Sequence, residues 1–327
     1  MSVRNIVKRH VVETTSTVHE KVRELVQDHF NDGEHAGFTT DMWTDGVKKK
    51  LFMSVTMHYI DRNFKLHVRN LHVKVFQEES HIGSVVLKAF EDALHEFGCK
   101  ESDRCVVCTD SRSNMAATEG IRKIYKWIVG ADHKIATVLT TVFNKTSTTT
   151  DGVRSSPFYR YHEFAPHLFE MIDNSKELIR YFKQANLQNS LSKTLKQENV
   201  TRWNSLLISL NSILDSYDEV TTVLSRFANI NRQANKQFLV IRIDKTSLAD
   251  LVRFLRRFQT VTLKLEQYLE PTIHLVSFEQ SALSEYCKPR NEPYNDEDAE
   301  GNKFTIPSDN DDIAAIKMLI KDVLREK

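Results

Sequence analysis

The sequence predicts an α/β protein: a mixed sheet with helices, joined to a large all-α insertion-like region. Three observations lead there. Between Phe38 and Val129 the chain alternates strand-type runs with amphipathic helical stretches. After Pro166 apolar residues recur at helical spacing almost throughout. Glycine and proline are scarce, nine and six in 327 residues, which disfavours a loop-rich architecture.

In chain order, a helix is expected from Thr17, where Thr17 and Glu20 form a capping box and Val18, Val22, Leu25, Val26 and Phe30 share a face. Asn31-Asp32-Gly33 closes it. Gly37 onward reads as a short buried strand ending on the carboxylate of Asp41, because Phe38, Thr39 and Thr40 have strand-type side chains and Gly46 stops the run. Met53, Val55, Met57 and Tyr59 then alternate with polar residues, Asp61-Arg62-Asn63 turns the chain, and Phe64, Leu66 and Val68 return. The apolar phase slips past Asn70, which implies a bulge.

Ile82 to Phe97 forms the clearest amphipathic helix, ended by Gly98. A second apolar strand, from Arg104, delivers Asp110 at its end, and a helix from about Asn114 to Lys126, a strand at Trp127 to Gly130 and a helix from His133 to Asn144 follow. A helix between the third and fourth strands lets the fourth lie parallel beside the first, so that Asp41 and Asp110 meet at one sheet edge. The region from Thr146 to Gly152 reads as a polar linker, followed by helices at Leu168 to Phe182, Ser205 to Leu214, Val220 to Phe227 and Ser247 to Leu269. Asn291 to Asp312 is acidic and reads as a loop or disordered segment before a final helix, Ile313 to Leu324. The expected organisation is an N-terminal helical segment (1–33), an α/β core (34–145), a helical domain (146–290), an acidic loop (291–312) and a C-terminal helix (313–327).

With 45 basic and 44 acidic residues, no global field drives the chain to nucleic acid, and any DNA contact must be local. Lys48-Lys49-Lys50 and the group Arg253, Arg256, Arg257 and Lys264 read as solvated faces before DNA tracks. The four cysteines, Cys99, Cys105, Cys108 and Cys287, fit a reducing compartment. Cys105 and Cys108 sit within an apolar strand and lack a second pair at finger spacing, so they are strand residues and not zinc ligands. No window approaches the length needed to cross a bilayer, so no membrane contact is expected.

Four ordered motifs carry a resemblance: Phe38-Thr39-Thr40-Asp41-Met42-Trp43-Thr44, Thr109-Asp110-Ser111-x-x-Asn114-Met115, Ala131-Asp132-His133-Lys134 and Thr201-Arg202-Trp203-Asn204-Ser205. In this order they resemble the hobo/Activator-type (hAT) transposases and the BED-finger proteins derived from them. The element order is likewise that of the ribonuclease H-like fold, and the helical region resembles the insertion that hAT proteins carry in it. The resemblance implies metal-dependent DNA strand cleavage and transfer in the nucleus, with Asp41 and Asp110 holding Mg²⁺ or Mn²⁺. It gives Arg202 and Trp203 a role in holding DNA, and makes His133 the histidine of a four-residue motif whose first position, Cys or Asp in the family, is Gly130 here.

For each residue a plainer reading stands beside this one. Asp41 and Asp110 could be turn or capping aspartates, Trp43 a core aromatic instead of a stacking surface, and His133 a helix-start histidine. The family completes its site with a glutamate from a Ser-Glu-x-x-Phe-Ser block within the dimerising region, and no such block occurs before Lys327. Glu266, Glu270 and Glu285 match nothing. The chain is therefore expected to be a truncated or decayed relative that binds DNA without catalysis of its own. The alternatives are an active transposase once a missing C-terminal segment is supplied, and a noncatalytic interaction scaffold.

Overall fold

A computed structural model describes residues 3–76, 80, 82–99, 105–110, 120–150, 153–199, 203–230, 237–267, 270–297 and 303–326. The chain divides into two compact units, Met1–His133 with Gln267–Pro271, and Lys134–Glu266 with Thr272–Lys327. The division falls at His133, inside a helix, and not at residue 145.

The first unit opens with α1 (Val3–Asn31), which starts much earlier than Thr17. Thr17 is no cap: its hydroxyl donates to Glu13 O one turn back, as a mid-helix threonine does. From Val22 onward α1 acquires an apolar face, with Val26 and Phe30 buried. Gly33, at φ 79°, takes the left-handed conformation that ends the helix.

A five-stranded sheet follows in the order β3-β2-β1-β4-β5, built from β1 (Ala36–Thr44), β2 (Leu51–Ile60), β3 (Leu66–Val75), β4 (Cys105–Thr109) and β5 (Lys126–Val129). The first three form an antiparallel meander, and β4 runs parallel to β1 and to β5. In the β2–β3 ladder Val55 faces His72 while Thr56 faces Asn70, so Leu71 is the extra residue of the bulge that the slipped apolar phase implied. Asp61 fixes the hairpin by accepting from Asn63 N and Lys65 N at 2.9 and 3.0 Å.

Helix α2 (Gly83–Glu96) covers the apolar sheet face, burying Val86, Phe90, Ala93 and Leu94. Phe90 meets Phe38 of β1 edge-on at 6.1 Å, and burying such a ring contributes about 1.5–3 kcal/mol. The helix expected over 114–126 is described only from residue 120, as α3 (Ile121–Ile124). Lys126, expected at its end, instead begins β5.

The second unit is helical and begins within α4 (Ala131–Phe143), whose Ile135, Val138, Leu139 and Val142 are buried in the helical core. The supposed linker after it holds short ladders instead: β6 (Lys145–Thr146) pairs with β9 (Phe158–Tyr159), and β7 (Thr149–Thr150) with β8 (Val153–Arg154). Helices α5 (Pro166–Gln184), α6 (Asn204–Asp215), α7 (Tyr217–Ile230), α8 (Gln237–Ile241), α9 (Lys245–Leu265) and α10 (Ile273–Tyr286) follow. Asp244 caps α9 by accepting from Ser247 N, and Leu248, Leu251, Leu255, Phe258 and Val261 form its buried stripe. Leu269, expected in that stripe, lies outside the described residues.

The acidic segment is not structureless. It pairs β10 (Tyr294–Glu297) with β11 (Lys303–Ile306), and α11 (Asp311–Glu326) closes the unit. Among the described residues no helix is long and apolar enough to cross a membrane.

Candidate functional site

Strand β1 buries Ala36, Phe38, Thr40 and Met42 and turns Thr39, Asp41 and Trp43 to the opposite, open face. Thr40 is tolerated inside because its hydroxyl donates to Ser54 O at 2.7 Å. Asp41 is not a strand-terminal residue, since it pairs with Ser54 and β1 continues to Thr44 along the β2 ladder. The end that matters is that of the parallel ladder, which stops at Thr39 opposite Cys108. Continued by two residues on each strand, this register would bring Asp41 (39 + 2) level with Asp110 (108 + 2).

The two aspartates also share a face. Cys105, Val107 and Thr109 point to the buried side, leaving Val106, Cys108 and Asp110 half-buried on the other. Thr109 is secured by donating to Asp110 O at 2.6 Å and accepting from Trp127 Nε1 at 2.9 Å. Asp41 Oδ1 accepts from Met42 N at 2.8 Å, while Asp110 is half-buried immediately after β4.

Around the pair the open face is polar, with one aromatic platform. Trp43, 39% exposed, stacks on Phe52, its ladder partner, at 5.7 Å and 15°. On the same face His58 Nε2 and Thr39 Oγ1 are hydrogen-bonded at 3.0 Å, and burial lowers the His58 pKa from its usual 6.5. Neither Phe52 nor His58 was singled out in the sequence; the period-two alternation of β2 opposite Trp43 and Gly37 was the available signal.

The four-residue motif behaves differently from its family pattern. A Cβ at Gly130 would lie 2.7 Å from Asp132 Oδ1 and 3.8 Å from Cys108 Sγ, so the Asp132 carboxylate fills the space that a side chain at 130 would enter. Asp132 lies in the first turn of α4, where the helix dipole favours a carboxylate. Burial, with the Asp132 charge adding to it, pushes the Cys108 thiol up to about 11. His133, the next residue, is half-buried in the same turn.

Trp203 belongs to the second unit. It immediately precedes α6, is half-buried and packs against the helical core, so it is less open than its polar neighbours suggested. Arg202 and Thr201 lie outside the described residues.

Among the described residues no group of three or more His, Cys, Asp or Glu side chains converges as a metal cluster. Asp41 and Asp110 offer hard oxygen donors on one face, a set that suits Mg²⁺ or Mn²⁺ retaining several waters.

A mixed sheet of three antiparallel strands followed by two parallel ones, with helices between, is a ribonuclease H-like fold. The family model described as the ZBED1 RNase-like domain matches residues 39–127, the stretch from β1 into β5. Over 283 residues, 86% of the chain, the sequence is 27% identical to the Transposable element Hobo transposase of Drosophila melanogaster, and the match spans 38% of that protein. The chain is thus similar to the hAT and ZBED-type transposase proteins.

Proposed function

We propose that this chain is a transposase-derived DNA-binding protein of the nucleus, which keeps the ancestral metal-binding aspartates but does not cut or join DNA by itself. The observation supporting the reading is the parallel β1–β4 ladder, paired as far as Thr39 and Cys108, whose continuation by two residues would bring Asp41 level with Asp110. A bound divalent ion would supply activation of water, or of a sugar hydroxyl, for in-line attack at phosphorus. The chain's own residues would do the rest. Asp41 and Asp110 hold the ion, Asp41 being fixed through Met42 N. The Trp43–Phe52 stack offers an apolar plane to an unpaired base. Trp203 and Arg202 contribute stacking and a phosphate contact, as the resemblance implies.

The Asp132 carboxylate acts on Cys108, the last β4 residue of the parallel ladder, closely enough for its charge to add to the rise in the thiol pKa. The test uses the chain with Mn²⁺ and a duplex carrying terminal repeats. We expect Mn²⁺ binding, read by electron paramagnetic resonance, to be lost in Asp41→Asn and Asp110→Asn. We also expect retarded DNA on a native gel and no nicked or joined strand. Strand cleavage abolished by Asp41→Asn would overturn the noncatalytic reading; unchanged Mn²⁺ binding in both variants would remove the metal pair.

A further inference from the structure

A cleft of about 410 Å³ lies in the helical unit, between α6 and α9 and beneath the segment 193–196. Its charged and amide lining consists of Lys193, Lys196, Arg256, Asn211, Gln259 and Asp215. The arginine-rich face of α9 is not uniformly spoken for. Arg253 pairs with Asp250, while Arg257 and Lys264 both reach Glu279, at 3.8 and 2.9 Å. Arg256 instead points into the cleft, where its guanidinium donates to the Asn211 side-chain oxygen.

Lys196 is held at the rim by its backbone, whose N–H donates to Ser212 Oγ at 2.9 Å, and among the described residues its ammonium reaches Thr194 Oγ1, at 3.3 Å. Lys193 faces Glu219, whose carboxylate is already taken by Ser192 N and Oγ at 2.8 and 2.6 Å. Among the described residues no carboxylate lies within ion-pair distance of Lys193, Lys196 or Arg256. The single acid of the lining, Asp215, accepts from Asn211 Nδ2 at 2.8 Å. Three cations against one acid, with amide and hydroxyl groups between them, make a receptor for phosphate oxygens.

The position of the cleft says which phosphate. Trp203 stands at the start of α6, and Gln259 of the cleft donates to Asn204 Oδ1 at 2.9 Å, tying the two places together. From Trp203 to Asn211 is eight residues, about 12 Å along the helix axis at 1.5 Å each. That separation is a few nucleotides of one strand. A small free anion would not need a cleft on the same helix as the aromatic residue and tied to it through Gln259 and Asn204.

We propose that the α6–α9 cleft binds the phosphodiester backbone of the same DNA strand whose unpaired base is held at Trp203. This rests on the DNA-binding reading above and adds a second contact to it.

The test is fluorescence anisotropy of the whole chain with a labelled single-stranded oligonucleotide, across a salt series. Lys196→Ala with Arg256→Ala should weaken binding about tenfold at low salt. It should also make the salt dependence shallower by about 1.4, twice the single-strand value of about 0.7 per phosphate. Lys196→Arg should bind normally, and circular dichroism melting should show both variants folded, since the two side chains are exposed. If Trp203→Ala weakens binding while the double variant does not, the cleft assignment fails and the DNA-binding reading stands. No affinity at low salt for the unaltered chain overturns both. A loss in the double variant with none in Trp203→Ala upholds the cleft and removes Trp203. Displacement of the oligonucleotide by polyglutamate at matched charge concentration would reassign the cleft to an acidic polypeptide.

Discussion

At the scale of single residues, two histidines show how burial sets a pH limit on this fold. Burial lowers the pKa of both His58 and His72 from 6.5; at His72 the Lys74 charge adds to the effect and Glu96 opposes it. His72 Nδ1 is also buried without a hydrogen-bond partner. A group depressed in the folded state binds fewer protons there than in the unfolded chain. Its stabilising contribution is therefore complete above pH 6.5 and is lost as pH falls through the folded value. Glu96 and Asp61 are also lowered, from 4.5 and 3.8, but lose their protons in a more acidic window. Denaturant melts should accordingly show constant stability between pH 7 and 8 and a decline beginning near 6.5. In the variant carrying His58→Gln and His72→Gln the decline should begin only where the carboxylates titrate. An unchanged profile in that variant would rule these histidines out as the cause.

At the scale of elements, Gly98 is where the chain must turn from α2 toward β4, at φ 79°. A Cβ there would lie 2.6 Å from Gln27 Nε2 and 2.9 Å from Gln27 Cγ of α1. Gly98→Ala should cost about 1–2 kcal/mol from the left-handed backbone alone, with Gln27 displaced in addition. Gly46→Ala, which meets nothing within 4 Å, should change stability by less than about 0.5 kcal/mol. Equal effects at the two glycines in urea melts would refute this. Gly98 was legible in the sequence because it follows a strong amphipathic period, and so was the parallel placement of β4 beside β1. The bulge at Leu71 was legible from the slipped alternation. What was not legible shares one cause, structure held by backbone pairing or tertiary contact with no apolar period of its own. The ladder to β2 carries β1 past Asp41 to Thr44, and the paired strands at 145–159 and 294–306 are two to four residues long, too short for a period to show. Trp203 is likewise half-buried by helices distant in sequence, which its polar neighbours could not announce. The cleft at Arg256 was hidden differently: sequence grouped four cations together, and only the fold shows that three of them are paired.

At the scale of the whole molecule, the chain carries two separate apolar cores, one around Val26, Phe38, Met53 and Phe90 and another around Phe169, Ile179, Leu210 and Phe258. The second core includes a buried charge. Lys317 of α11 is 5% exposed and donates to both oxygens of Asp309 at 2.7 Å, while Asp309 Oδ2 also accepts from Arg290 N at 2.8 Å. The Lys317 ammonium lies 5.3 Å from the Tyr286 ring centre, so the pair joins α11 to the end of α10 and the segment beyond it. Removing one member of a buried pair strands the other and costs about 3–5 kcal/mol, whereas replacing both by apolar residues of similar volume can be neutral. Lys317→Ala should therefore destabilise the helical core strongly, and Lys317→Met combined with Asp309→Leu should recover most of the loss. The tryptophans allow the two cores to be read apart, since Trp43 and Trp127 belong to the first unit and Trp203 to the second. With Trp43→Phe and Trp127→Phe in the background, the Trp203 fluorescence transition should move to lower denaturant in Lys317→Ala. A shift below about 1 kcal/mol would mean that water reaches the pair and that α11 is held by its apolar face alone, through Ile313, Ile316, Ile320 and Val323.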